Sequence, residues 1–177
     1  MNLENMARKG FLHRNPAGFA RVIEIIFGII WGIDGTFKFL PGVVQAFPGL
    51  ILQASAGQPS WLSGWFTFWA HATLGNPAVF VYSVGLFELA LAFCLIFGFM
   101  RRIGYAGGFV LSLLIWSVPE GFGGPYGPGS TDIGTGIIYA VVFLLLMAIA
   151  LTNKENRTSL DYIIGKRFKG WRKVFAF

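Results

Sequence analysis

Residues Ala78 to Phe99 read AVFVYSVGLFELALAFCLIFGF, an apolar run with a single ionisable side chain, Glu88, near its middle. About 20 apolar residues in a helix cover the roughly 30 Å of a bilayer's hydrocarbon core, so the stretch is predicted to cross a membrane. Three further runs resemble it. The first, about 19–40, is interrupted by Arg21, Glu24, Asp34 and Lys38, which leave an uncharged centre of only Ile25 to Ile33. The run at about 103–118 is uncharged but ends short at Pro119, and that at about 133–152 is the longest clean one. Composition agrees, because 55% of the 177 residues are hydrophobic, only 12% are charged and the mean hydropathy is +0.63, whereas soluble domains carry about 25% charged residues. The predicted fold is therefore an all-α integral membrane protein: a four-transmembrane-helix bundle forming one domain over residues 1–177.

Lysine and arginine set the orientation, since cytoplasmic segments retain them during insertion. Of the 14 basic residues, all but Lys38 fall in the N-terminal segment (Arg8, Lys9, Arg14, Arg21), after the second span (Arg101, Arg102) or in the tail from Lys154 to Lys173. Both termini are thus predicted to be cytoplasmic. The N-terminal segment lacks a small-residue cleavage motif, so it is read as retained. Net charge of +6 sits in short clusters beside apolar spans, which suits anionic lipid headgroups as partners and argues against nucleic acid.

The outer loop, Pro41 to Pro77, contains no Asp, Glu, Lys or Arg yet is rich in glycine and proline, so it is predicted to lie at the membrane interface. Val43, Val44, Phe47, Leu50 and Ile51 suit a short interfacial helix, and Trp61, Trp65 and Trp69 recur every four residues as one aromatic face. The basic tail, 154–177, reads as an in-plane amphipathic helix with Ile164, Phe168, Trp171 and Phe175 on one side. Gly28 and Gly32, and likewise Gly104 and Gly108, are spaced for close helix approach.

Glu88 is the leading candidate for chemistry, because a carboxylate at mid-bilayer costs about 2.5–3.5 kcal/mol and must turn inward; it either serves a pathway or fixes packing by a hydrogen bond. Glu24 lies one turn from Arg21 and can pair with it locally. Asp34 and Lys38 share a face at the outer end of the first span, with Trp31 one turn below. The same end receives Glu120, Tyr126 and Asp132 from the loop EGFGGPYGPGS and its exit, and His71 from the aromatic loop. Together they would form a vestibule for proton exchange with a small redox or anionic substrate, Glu88, Asp34 and Glu120 being catalytic and Lys38, His71, Tyr126, Asp132 and Trp31 substrate-binding. Thr131 or Asp132 is equally suited to cap the last span.

Several chemistries are disfavoured. His13 and His71 fall on opposite sides of the membrane, which opposes a bis-histidine haem. The single cysteine, Cys94, permits neither a CxxC pair nor an iron–sulfur site, and no dinucleotide or phosphate-loop fingerprint occurs. No metal site is read. A redox role would then need quinone as a diffusible co-substrate.

Two stretches, Gly28 to Gly42 (GIIWGIDGTFKFLPG) and Trp116 to Ala140 (WSVPEGFGGPYGPGSTDIGTGIIYA), resemble the DoxX-like superfamily, specifically its DoxD type, the membrane subunit associated with thiosulfate:quinone oxidoreductase. The resemblance implies a four-helix protein of a prokaryotic cell membrane, electron transfer from thiosulfate to quinone, and a companion DoxA-like subunit. The alternative is a non-catalytic anchor or assembly subunit of a respiratory complex.

Overall fold

Pro41 and Pro77 each open a helix, as expected where the missing N–H of proline costs nothing and its fixed φ already suits the first turn. The computed structural model describes residues 16–126, 130, 132–152 and 157–176, and the following concerns these. Arg8, Lys9, His13, Arg14, Thr131 and Lys154 lie outside them, as does the Lys169 side chain. All regular structure among the described residues is helical. Four long helices, α1 (Pro16–Phe37), α4 (Pro77–Phe97), α5 (Arg101–Ser117) and α6 (Thr135–Thr152), run up and down as a ring in which α1 packs along α4 and α5 along α6. The α1–α6 and α4–α5 seams are thinner.

Of these, α4 and α6 are long and apolar enough to cross a membrane. Outward-facing apolar side chains form a belt around the ring, including Ile26, Ile29 and Ile33 on α1, Leu86 and Phe93 on α4, and Leu144 and Leu145 on α6. So continuous an apolar exterior is foreign to a water-facing monomer.

The seam between α1 and α4 is tight because glycines remove the side chains from it. A Cβ on Gly35 would lie 3.1 Å from the Gly85 carbonyl oxygen, and one on Gly85 would lie 2.8 Å from Lys38 Cβ. Gly28 adds a third close approach, against Ala92 and Leu95, whereas Gly32 makes only ordinary contact. Gly108 accommodates the Phe143 ring of α6. Between the ends of the ring, Phe27, Trp31, Tyr139 and Phe143 pack with centroids 5.0–6.1 Å apart.

The stretch after Pro41 is more ordered than its glycines and prolines suggest. It forms α2 (Pro41–Ser55), with Pro48 inside it, a 3-10 turn (Ser60–Leu62) and α3 (Ser63–Leu74). Phe47 and Ile51 of α2 bury against Val81 and Val118, so the element is a packed cap on one end of the ring. The three indoles do not share a face: Trp65 and Trp69 turn inward, while Trp61 lies in the 3-10 turn, outside the phase of α3, and is 79% exposed.

At the opposite end, two short helices replace the single amphipathic one. α7 (Leu160–Arg167) and α8 (Lys169–Phe175) break at Phe168, whose extended backbone leaves its ring exposed. The tail is pinned by Asp161, which accepts from the Met100 and Arg101 amides at 2.8 and 3.0 Å and from the Trp171 indole at 2.9 Å. It thereby caps α5, where a carboxylate also complements the helix dipole. Trp171 completes the contact by packing its ring at a tilt against Phe99.

Candidate functional site

The Gly35–Gly85 crossing brings two side chains of neighbouring helices within reach. Lys38, one turn beyond Gly35, and Glu88, one turn beyond Gly85, meet with Nζ 3.3 Å from Oε2. Lys38 also donates to Asp34 Oδ2 at 2.9 Å, closing the helical pair anticipated from the spacing. Exposure falls steeply along this chain of charges, from 48% for the Asp34 side chain through 15% for Lys38 to 0% for Glu88.

Glu88 is unusual in how little binds it. Despite the nearby ammonium, neither of its oxygens accepts a hydrogen bond among the described residues. A sealed carboxylate in that state is expensive, since a buried polar group left without partners forfeits about 1–3 kcal/mol, and more if charged. The residue helps to line a cavity of about 420 Å3, with Asp34, Lys38 and Glu120 among apolar walls from Phe47, Trp69, Phe80, Val84, Leu111 and Leu114. Four ionisable groups thus converge in an otherwise oily chamber roofed by α2 and α3.

Glu120 has a second task. Its Oε2 accepts from the Gly136 amide at 2.9 Å, so it caps α6 from across the glycine-rich loop. Asp132 instead accepts from the Gly134 amide at 2.7 Å, within the approach to the helix. The capping role expected of Asp132 or Thr131 therefore falls to Glu120 among the described residues. The loop is held in place by Gln58 donating to the Gly121 carbonyl at 2.8 Å and by Trp116 donating to that of Ile133 at 2.8 Å. Trp65 ties α3 to the Ser117 carbonyl at 3.0 Å.

The remaining candidates stand apart from the chamber. His71 is exposed and lines a different cleft of about 400 Å3, with Ser55, Gln58, Ser63 and Thr67. It lies two residues past the inward-facing Trp69, roughly 200° around the helix, so it points away. Tyr126 is 62% exposed and donates to the Phe122 carbonyl at 2.6 Å. Trp31 is fully buried in the aromatic layer, its indole N–H without an acceptor among the described residues. Asp132 is exposed at the loop exit. The single vestibule expected for all eight residues is thus narrower than the sequence suggests: Asp34, Lys38, Glu88 and Glu120 line it, and the other four do not.

A second polar cluster occupies the opposite end of the ring. Glu24 accepts from Arg21 at 2.7 Å and from the Tyr105 hydroxyl, and Arg101 lies 3.8 Å away. Arg21 in turn donates to the Leu95 carbonyl at 2.6 Å and to that of Ile96, the last turn of α4. Sequence spacing reveals the Arg21–Glu24 pair but not Arg101, Tyr105 or Asp161, which arrive from elements distant in the chain.

In chemical terms the chamber can bind a small, largely apolar group bearing hydrogen-bonding oxygens and can carry protons to it through Asp34, Lys38 and Glu88. Its formal charge, three carboxyl groups against one ammonium, disfavours an anion. No group of three or more His, Cys, Asp or Glu side chains able to hold a metal ion occurs among the described residues. Comparison with protein-family models, curated proteins and solved structures yields no match.

Proposed function

We propose that this chain is the membrane subunit of a quinone-linked oxidoreductase, that its four long helices all cross the membrane with both ends cytoplasmic, and that the chamber beside Glu88 binds the quinone headgroup. The observation that carries the reading is a sealed carboxylate whose oxygens accept no hydrogen bond among the described residues, on a residue that lines a mainly apolar cavity. A quinone ring is uncharged and flat, with oxygens that accept hydrogen bonds, which matches oily walls and one ammonium better than a sulfur anion would. The short α5, at 17 residues about 26 Å long, is near the lower limit for a span and carries its charges, Arg101 and Arg102, in its first turn, while those of α1 leave its centre from Ile25 to Ile33 uncharged.

The proton chemistry follows from the arrangement of the charges. Reduction of a quinone to a quinol consumes two electrons and two protons. As electron density builds on a carbonyl oxygen, the Lys38 ammonium stabilises it and Glu88, when protonated, delivers the proton. Half-exposed Asp34 then returns protons from water through Lys38 to Glu88. The resemblance to the DoxD type names thiosulfate as donor, two such anions releasing two electrons as an S–S bond joins them. Since Lys38 is already engaged by two carboxylates and His71 lies in another cleft, we assign that oxidation to a DoxA-like partner subunit.

Replacing Glu88 by Gln preserves shape and removes the exchangeable proton. Glu88→Gln in membranes containing the complete complex is expected to abolish donor-dependent quinone reduction while the protein level and unfolding temperature hold. Unchanged turnover would remove the chamber from the reaction and favour an anchoring role.

A further inference from the structure

A second space lies beside the chamber, along the thin seam between α4 and α5. It measures about 620 Å3 and its walls are almost wholly apolar, with Phe87, Leu91 and Cys94 on one side and Gly104, Gly107 and Leu111 on the other. The groove exists because α5 presents hydrogen atoms where side chains would fill it: a Cβ on Gly107 would meet nothing within 4 Å. Phe87, Ile103 and Val110, all exposed, mark its open side toward the apolar exterior.

Groove and chamber adjoin. Leu111 and Leu114 line both, while Phe87 and Glu88, adjacent on α4, face one space each. From Gly104 to Leu114 the groove follows α5 for about 15 Å at 1.5 Å per residue. At its inner end it meets Leu111 and Leu114, the side chains it shares with the chamber. A single flexible hydrocarbon chain can pass between them; a helix about 10 Å across, such as one from a second copy of the chain, cannot.

We propose that the α4–α5 groove holds the isoprenoid tail of the quinone whose headgroup occupies the chamber. The assignment rests on the quinone reading above and sharpens it: the ligand is a long-chain membrane quinone that enters between α4 and α5 with its tail trailing toward the α7–α8 end.

The single cysteine of the chain lines the groove and serves as a reporter. Purified protein in detergent is treated with N-ethylmaleimide alone, with a ten-isoprene ubiquinone, or with its tail-less headgroup analogue, and retained quinone is extracted and counted. Expected is retention of both compounds, with the long-tailed quinone slowing Cys94 alkylation about tenfold or more and the analogue leaving it unchanged. Gly107→Phe, which places a ring in the open groove, should weaken retention of the long-tailed quinone about tenfold and spare the analogue. Retention of both compounds without protection of Cys94, or equal weakening of both by Gly107→Phe, would overturn the groove assignment and leave the headgroup reading standing. Retention of neither would overturn both. A Cys94 that is shielded before quinone is added, and becomes reactive on dilution, would put a second copy in the groove and overturn the assignment.

Discussion

Glu24 and Glu88 are both carboxylates removed from water inside the same helical ring, yet their surroundings differ in kind. Glu24 is saturated: Arg21, Tyr105 and Arg101 surround it, and Arg21 also satisfies the carbonyls that end α4. Glu88 has one ammonium at 3.3 Å, no hydrogen bond among the described residues, and a place in the wall of a cavity. Burial alone therefore does not mark a working site. A charge whose partners are all supplied by the protein fixes the fold, whereas one left incomplete beside a cavity is available to something that enters.

The contrast breaks most decisively at Glu24. Glu24→Leu leaves Arg21 and Arg101 buried without their counter-charge, and removing one partner of a buried pair costs about 3–5 kcal/mol. A correspondingly large fall in the unfolding midpoint in detergent is expected, and a negligible one would show the cluster to be dispensable. Next is the glycine seam that sets the geometry of the other site. Gly85→Val forces α4 away from α1 and should cost about 1–3 kcal/mol of stability by overpacking. Because it also separates Lys38 from Glu88, the proposed quinone reduction should be lost; full activity would show that the Lys38–Glu88 distance is immaterial. Asp161→Ala removes the cap of α5 together with one of the two carboxylates beside Arg101, and the loss of the cap alone is expected to cost about 0.5–2 kcal/mol. Limited proteolysis should then release the tail from α5 faster than in the unaltered protein. The smallest effect on stability belongs to Glu88→Gln, about 1 kcal/mol or less, since Lys38 keeps Asp34. A loss as large as that of Glu24→Leu would make the two carboxylates alike and end the distinction.

The long elements were the readable part of this chain. α4 and α6 announce themselves by uninterrupted apolar length, and that signal survives because a lipid-facing helix needs no alternation. α2 and α3 were harder: Pro41 and Pro77 read as interruptions although proline at a first helical turn is a start, and Pro48 was absorbed within α2. In the site, the four-residue spacing of Asp34 and Lys38 is a local rule and was visible. That Glu88 joins them depends on Gly35 and Gly85 meeting across two helices, a pairing hinted at by Gly85 lying three residues before Glu88. His71 was misplaced because a loop has no phase; once α3 is helical, its position opposite Trp69 follows. Asp161 carried no signal at all, its partners being backbone amides sixty residues away.

The aromatic layer of Phe27, Trp31, Tyr139 and Phe143 has a consequence for energy conversion. It separates the two carboxylates like an insulating diaphragm: its rings meet edge-on or tilted, and the Trp31 indole N–H has no acceptor among the described residues. Chemistry at Glu88 would then exchange hydrogen ions with one compartment only, making the reaction sided, and vesicles carrying this protein should hold a pH gradient as well as protein-free ones do.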